Sequence, residues 1–385
     1  KADALSAGAG LLNFYYPSAA ASGSQQSSGV VYNPKPYSVI NFEPSPLNRV
    51  VEQGAPGTDW QPVAGSTAGH TVKMAYTTND QSSTFSTTPG SSNTGSRIAA
   101  LYQVSINANQ SRTLSASGTY QSGQLFVTIA KDENWNPSAD GCTNTAEEYK
   151  DKEGHVVLKR TYNLNKLTNK IEELSTYYVY DDLGNLAFVL PPAANPDAGL
   201  SSAGNQATLN AFCYQYRYDE RNRMTGKKLP GKTWEYFVYN KRDQVVATQD
   251  SSLRNAQQWM VSKYDALGRV ILTGVFQKTN FSAAAFRDSV YAHDQWDVRN
   301  SGTGSGYTIN SYPATLTTTY SINFYDNYDN IPNWVTDYAY AQGSKMTTGL
   351  LTLSKTLIVN TPSTRLLQVN YYDDNGRGIK TFKQH

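Results

Sequence analysis

A short motif recurs along the chain from residue 149 onward, and this repeat limits the possible folds more than any other feature. Each copy has an aromatic residue, an acid or Asn, two variable residues, a turn-forming residue, a polar residue and usually an apolar one. The seven copies are YKDKEGHV at 149–156, YDDLGNL at 180–186, YDERNRM at 218–224, YNKRDQV at 239–245, YDALGRV at 264–270, YDNYDNI at 325–331 and YDDNGRG at 372–378. A degenerate eighth copy, FEPSPLNRV at 42–50, has two extra residues and supports the repeat only weakly. Internal repeats of this kind are typical of repeat architectures.

Three motif positions predict a β-hairpin in each copy. The turn position holds Gly, Asn or Asp, which tolerate the positive φ that a tight chain reversal needs. The acid three residues earlier can accept a backbone N–H two residues on and so open the turn. The Tyr ends the incoming strand and is expected to pack across the hairpin against the apolar residue. These structural repeat residues are Tyr149, Asp151, Gly154, Tyr180, Asp181, Gly184, Tyr218, Asp219, Asn222, Tyr239, Asn240, Asp243, Tyr264, Asp265, Gly268, Tyr325, Asp326, Asp329, Tyr372, Asp373 and Gly376.

The rest of the sequence also favours an all-β protein. Residues 17–29 and 79–96 are small and polar and indicate loops, and short β-type runs lie at 30–32, 37–42, 70–76, 98–106 and 124–129. Helical periodicity is weak and occurs only near 206–213 and 283–291. We therefore predict an N-terminal β-rich region over 1–145, with Ser/Gly/Thr-rich loops, and a β-hairpin ribbon over 146–385. Residues 378–385 alternate like half a hairpin, and we expect the chain to be a piece of a longer protein.

The copies YDALGRV, YDDLGNL and YDERNRM resemble the YD repeats of the Rhs family, which includes toxin-complex shell proteins and teneurins. Longer strings at 42–62, 147–163 and 180–192 are similar to secreted bacterial Rhs proteins, so the resemblance spans roughly residues 40–385. It implies a hairpin ribbon that spirals into a hollow shell, which in this family usually encloses a toxic C-terminal domain. It also implies a secreted or cell-surface polymorphic toxin of Bacteroidota that uses type 9 secretion. Seven copies are fewer than a closed shell needs, so this chain would supply part of a wall.

Composition and motifs argue against several other functions. The chain has 33 Lys+Arg and 31 Asp+Glu, a net charge of +2, which gives no bulk electrostatic basis for binding nucleic acid. No apolar run approaches the roughly 20 residues of a transmembrane helix. The His residues are His70, His155, His293 and His385, which are far apart, and no HExxH or CxxC is present. Cys142 and Cys213 lie in no recognisable catalytic context, so we expect no enzyme activity, no metal and no cofactor in this chain.

The sequence leaves three functions to be weighed. The leading hypothesis is a structural shell segment that encloses, displays or delivers a missing C-terminal effector. The expected partners are the rest of its own chain or shell, the outer-membrane secretion machinery or a chaperone. The alternative is a surface adhesin that binds glycan or protein through exposed aromatic residues, and it predicts a contiguous aromatic patch. An enzyme has no motif in its favour. Whether Cys142 and Cys213 pair is left open.

Overall fold

The structure is a computed structural model that describes residues 35, 37–66, 68–329, 331, 343–358, 361 and 364–384. The chain divides into two compact units. Unit 1 comprises the described residues of Lys1–Ala108 and Arg112–Tyr214, and unit 2 comprises Asn109–Ser111 and the described residues of Gln215–His385. Within the described ranges, every pairing between named strands is antiparallel.

Unit 1 is a meander of strands with one inserted hairpin. Its strands are β1 (Val39–Phe42), β2 (Val50–Gly54), β3 (Val72–Thr78), β4 (Ala100–Ile106), β5 (Arg112–Thr119), β6 (Phe126–Lys131), β7 (Thr145–Lys150), β8 (Val156–Asn165), β9 (Lys170–Tyr180) and β10 (Leu186–Leu190). They pair in the order β1-β2-β3-β6-β7-β8-β9-β10, while β4 and β5 form a separate two-stranded sheet. Short 3-10 helices lie at Thr58–Trp60, Pro192–Ala194 and Pro196–Ala198, and helix α1 (Gln206–Phe212) follows them.

Unit 2 is a continuous series of hairpins in chain order. Its strands are β11 (Tyr214–Tyr218), β12 (Met224–Lys228), β13 (Glu235–Tyr239), β14 (Val245–Gln249), β15 (Gln258–Tyr264), β16 (Val270–Gln277), β17 (Thr318–Asp326), β18 (Thr347–Leu357), β19 (Arg365–Tyr372) and β20 (Gly378–Lys383). Each strand pairs with the next one. Helices α2 (Ser251–Asn255) and α3 (Ala283–Tyr291) lie in the connections.

The core follows from the period-two alternation of the strands. In unit 1, one face of the strands packs into a cluster that includes Tyr149, Leu158, Leu190 and Cys213. Unit 2 has two clusters, one around Trp259 and α3 and one around the strands β17 to β19. Each unit also encloses ion pairs with almost no exposed surface. In unit 1 the Arg112 Nη2 lies 2.8 Å from the Asp181 Oδ2. In unit 2 the Lys263 Nζ lies 3.0 Å from the Asp297 Oδ2.

The predicted fold class is confirmed: the protein is all-β, and the repeat region forms consecutive antiparallel hairpins. The strand predicted at 30–32 lies outside the described residues. The sequence boundary at 145/146 falls inside β7, where Lys131 still pairs with Thr145, whereas the two compact units divide at Tyr214. The change of composition near residue 145 therefore accompanies no break in strand pairing.

Among the described residues, none of the helices has the length and apolar character that crossing a membrane requires.

Candidate functional site

The repeat motifs form tight turns between paired strands, and these turns are the distinctive site of the chain. In six copies the turn residue has a positive φ between +58° and +91°. These residues are Gly154, Gly184, Asn222, Asp243, Gly268 and Gly376. Side chains with a Cβ rarely adopt this conformation, except Asn and Asp. The use of Gly, Asn and Asp at this position therefore has a direct conformational cause.

The acid or Asn of the motif holds the tight turn with two hydrogen bonds. In six copies its Oδ1 accepts the backbone N–H groups two and four residues further on, at 2.9–3.1 Å. The residues concerned are Asp151, Asp181, Asp219, Asn240, Asp265 and Asp373. The first of these bonds is predicted from the sequence, and the second is seen only in the structure. Both bonds need only an oxygen acceptor, which explains why Asn240 can replace Asp.

In five copies the motif tyrosine bonds its hairpin to the one before it. Its hydroxyl donates to a backbone carbonyl in the return strand of the preceding hairpin, at the first residue of that strand in four cases and at Leu351 within β18 in the fifth. We call this contact the inter-hairpin tyrosine bond. The bonds are Tyr180 to Val156 at 3.2 Å, Tyr239 to Met224 at 3.0 Å, Tyr264 to Val245 at 2.7 Å, Tyr325 to Val270 at 3.0 Å and Tyr372 to Leu351 at 2.8 Å. Burial raises the pKa of Tyr264 and keeps its hydroxyl a neutral donor. Sequence reasoning expected the tyrosine to act only within its own hairpin.

A cationic or aromatic side chain after the turn residue covers the next tyrosine. The Arg223 guanidinium lies 4.8 Å from the Tyr239 ring centroid, and the Arg269 guanidinium lies 4.4 Å from that of Tyr325. In the first copy the His155 ring stacks on Tyr180 with the centroids 4.7 Å apart.

Arg269 also forms a bidentate pair with Asp326, at 2.7 Å on both oxygens. The Arg269 guanidinium lowers the pKa of Asp326. The polar position of the motif thus contributes to contacts between hairpins.

The first copy differs from the others in register. Lys150 lies opposite Val156, in the position that Tyr holds elsewhere, and Tyr149 lies opposite Leu158. Tyr149 is completely buried, and its hydroxyl donates to the Glu147 Oε2 at 2.5 Å. The assignment of Tyr149 to the motif position was therefore wrong, because the extra residue between Tyr149 and Asp151 turns Tyr149 to the opposite face of the strand.

The sixth copy does not make the predicted tight turn. β17 continues through Asp326, which has a φ of +75°, and pairs with β18, so that Asp326 lies opposite Thr347. The return strand begins at Thr347 and not at Ile331, and Asp329 lies in the connection between the strands. Leu351 lies opposite Tyr325 and accepts the hydroxyl of Tyr372. This copy is thus a hairpin in which a long connection replaces the tight turn.

The degenerate copy at 42–50 folds like the others. Phe42 lies opposite Val50, Asn48 has a φ of +50°, and the Arg49 Nε lies 2.7 Å from the Glu43 Oε1. Tyr76 of β3 supplies the inter-hairpin tyrosine bond, with its hydroxyl 2.9 Å from the Val50 carbonyl. Tyr76 was missed because no motif follows it in the sequence.

One group of metal-ligating side chains lies in the first turn, where the sequence analysis expected none. Asp151, Glu153 and His155 each offer a ligand atom, and these atoms lie within 4.8 Å of one another. The three residues line a cavity of about 320 Å³ in unit 1. The sequence signal for this group is the stretch DKEGH, in which the three ligand residues lie two positions apart. The sequence analysis expected no metal because the four His are far apart, and that argument did not consider one His beside two carboxylates.

The cysteines and the tryptophans form no cluster among the residues described. Cys142 and Cys213 are both buried and free. Burial raises the pKa of the Cys213 thiol to about 11, which keeps it protonated at neutral pH. Trp60 and Trp296 are 41% and 42% exposed, whereas Trp259 is completely buried. The aromatic patch that the adhesin alternative requires stays a prediction.

Comparisons with known proteins add similarities of low identity. The profile of a family described as a domain of unknown function (DUF6443) matches residues 6–78. No curated protein matches the chain. The crystal structures of TcdB2-TccC3 without its hypervariable C-terminal region and of TcdB2-TccC3-TEV are similar over 89% and 90% of this chain, at 11% and 12% identity and a TM-score of 0.34. The Photorhabdus luminescens Tc holotoxin pore with mutated TccC3 is similar over 90%, at 9% identity and a TM-score of 0.32.

The chain spans only 16% to 19% of the length of these proteins. TM-scores of this size do not establish a common fold, so the fold assignment rests on the strand pairing described above.

Proposed function

We propose that the chain is a structural segment of the wall of a large Rhs-type protein, whose shell encloses, displays or delivers a C-terminal effector domain. The inter-hairpin tyrosine bond is the observation that supports this proposal most. It recurs at Tyr76, Tyr180, Tyr239, Tyr264, Tyr325 and Tyr372, and at each of these places it ties a hairpin to its predecessor. Because each hairpin contacts its neighbour, more hairpins of the same kind can be added to build a larger continuous surface.

The chemistry of the motif supports a mechanical role. The motif carboxylates accept hydrogen bonds from their own turns, so their first oxygen is committed to the backbone. Asp181 is in addition bonded to Arg112 through its second oxygen. Carboxylates held in this manner stabilise the local fold and are poorly placed to exchange protons with a substrate.

The proposal includes the location and the partners that the repeat resemblance implies. The protein would be secreted or displayed at the cell surface. Its partners would be the remaining repeats of its own shell and, during export, a chaperone or the secretion machinery. Recognition of glycan or protein through exposed aromatics such as Trp60 and Trp296 is the alternative proposal. We assign no enzymatic step to the residues of this chain.

Electron microscopy of the natural gene product that contains this chain tests the proposal. We expect hollow particles, with these hairpins in the wall and the C-terminal region resistant to added protease until the shell is unfolded. A matched variant with Tyr239, Tyr264 and Tyr325 replaced by Phe keeps the ring packing but lacks three inter-hairpin bonds, and we expect earlier protease entry. Particles without a lumen, or a C-terminal region cut as fast as unfolded protein, would refute the wall function.

A further inference from the structure

We propose that Asp151, Glu153 and His155 form a zinc-binding site at the turn between β7 and β8. The His155 Nδ1 lies 3.3 Å from the Asp151 Oδ2 and 3.6 Å from the Glu153 Oε2. One imidazole nitrogen therefore faces two carboxylate oxygens from a single five-residue turn. The site is independent of the wall function proposed above.

The two distances fit a tetrahedral ion. Zinc–oxygen and zinc–nitrogen bonds of about 2.0–2.2 Å place neighbouring ligands of a tetrahedron roughly 3.3–3.6 Å apart. The distances from the Nδ1 to both oxygens already have these values, and the third separation lies within the 4.8 Å that bounds the group. The site needs His155 as the neutral tautomer with its proton on Nε2, so that the Nδ1 lone pair points to the ion.

The local charge also favours a cation here. In three other copies an arginine follows the turn residue, and its Nε lies 2.6–2.8 Å from the second oxygen of the motif acid. The first copy has His155 in that position, so a permanently charged guanidinium is replaced by an imidazole. Glu153 adds a second carboxylate, where the other tight turns have Leu183, Arg221, Arg242, Leu267 and Asn375. A divalent ion would balance the two carboxylates of this turn.

Two of the three ligands are already held in place. Asp151 is fixed because its Oδ1 accepts the N–H groups of Glu153 and His155, both at 2.9 Å. The His155 ring is fixed by stacking on Tyr180. Only the Glu153 side chain, which is 80% exposed, has to be ordered on binding.

The neighbouring hairpin supplies further polar groups. Asp182 and Tyr178 line the same cavity as the three ligands. The cavity of about 320 Å³ leaves room for a fourth ligand, either a water molecule or the Asp182 carboxylate. Zinc at this position would connect the turn at 151–155 to the cavity wall formed by the next hairpin.

The test is a calorimetric titration of zinc chloride into the full 385-residue chain in chelator-free buffer. We expect one equivalent to bind. The variants His155→Arg and Glu153→Leu introduce residues that other copies carry at the same positions, so the hairpin should still fold. We expect each variant to bind zinc at least about tenfold more weakly with an unchanged circular dichroism spectrum. His70→Gln and His293→Gln are the matched controls and should bind like the wild type.

Three results would overturn the site. The first is the absence of saturable zinc binding to the wild-type chain. The second is equal affinity in the wild type and in His155→Arg, which would place the ion elsewhere. The third is loss of binding in His70→Gln or His293→Gln with retention in His155→Arg. Each result leaves the wall function untouched, because the inter-hairpin tyrosine bonds do not depend on the ion.

Discussion

Replacing Asp265 separates the two contributions of the motif acid. The Asp265 Oδ1 accepts the N–H groups of Leu267 and Arg269 at 2.9 Å each, and its Oδ2 accepts the Arg269 Nε at 2.6 Å. Asp265→Ala removes all three bonds, whereas Asp265→Asn keeps an oxygen for the two amides, as Asn240 does in the preceding hairpin. The pair of variants therefore distinguishes turn capping from ion pairing.

The magnitudes follow from the bonds lost. Each backbone bond contributes about 0.5–1.5 kcal/mol, and a charge-assisted bond adds somewhat more when it is shielded from water. We discount the Arg269 contact because Arg269 is partly exposed and keeps its pair with Asp326. We expect Asp265→Ala to destabilise the hairpin by about 2–4 kcal/mol and Asp265→Asn by about 1 kcal/mol.

Hydrogen exchange with mass spectrometry measures this locally. Peptides that cover β15 and β16 should exchange about 30-fold faster or more in Asp265→Ala, which corresponds to about 2 kcal/mol of local stability. Asp288→Ala is the control, because the Asp288 side chain is 65% exposed and its carboxylate pairs with the adjacent Arg287. Exchange in Asp265→Ala within threefold of the wild type, or equal effects of Ala and Asn, would refute the capping argument.

Three further predictions concern other positions of the repeat motif. Tyr264→Phe leaves the Val245 carbonyl without its 2.7 Å donor and should cost about 1 kcal/mol in urea denaturation, whereas no change would contradict the inter-hairpin bond. Gly184→Val places a β-branched residue at a φ of +76° and should cost about 1 kcal/mol or more, so an unchanged melting temperature would contradict the turn assignment. Because the Arg269 guanidinium lowers the pKa of Asp326, that carboxylate stabilises the fold above about pH 4 and loses its contribution as the pH falls further. The stability difference between the wild type and Asp326→Asn should therefore shrink between pH 5 and pH 2, and a constant difference would contradict the ion pair.

Some features of the fold could be predicted from the repeat motif and others could not. Gly154, Gly184, Gly268 and Gly376 all have a positive φ, so a residue choice at one position was enough to locate four turns. Helix α3 was located in the sequence at its observed bounds, 283–291, because its apolar residues recur at helical spacing. Local conformational preferences of this kind operate within a few residues and can be read from the chain.

The errors have equally specific causes. Tyr149 was assigned to the motif because one inserted residue shifts the register by one, and a shift by one exchanges the two faces of a strand. In the copy that begins at Tyr325, the local sequence still resembles a turn. The strand nevertheless pairs with the distant strand Thr347–Leu357, and a pairing between segments so far apart in the chain is not visible in local sequence.

By itself, the sequence determined that this protein is all-β, where its tight hairpins reverse, and that its motif acids stabilise the turns. These features depend on φ preferences, on period-two alternation and on bonds between residues two to four positions apart. Only the tertiary structure decided which carbonyl each inter-hairpin tyrosine bonds and that Asp181 pairs with Arg112. These contacts depend on the register between neighbouring strands and on side-chain placement in three dimensions, which local preferences do not encode.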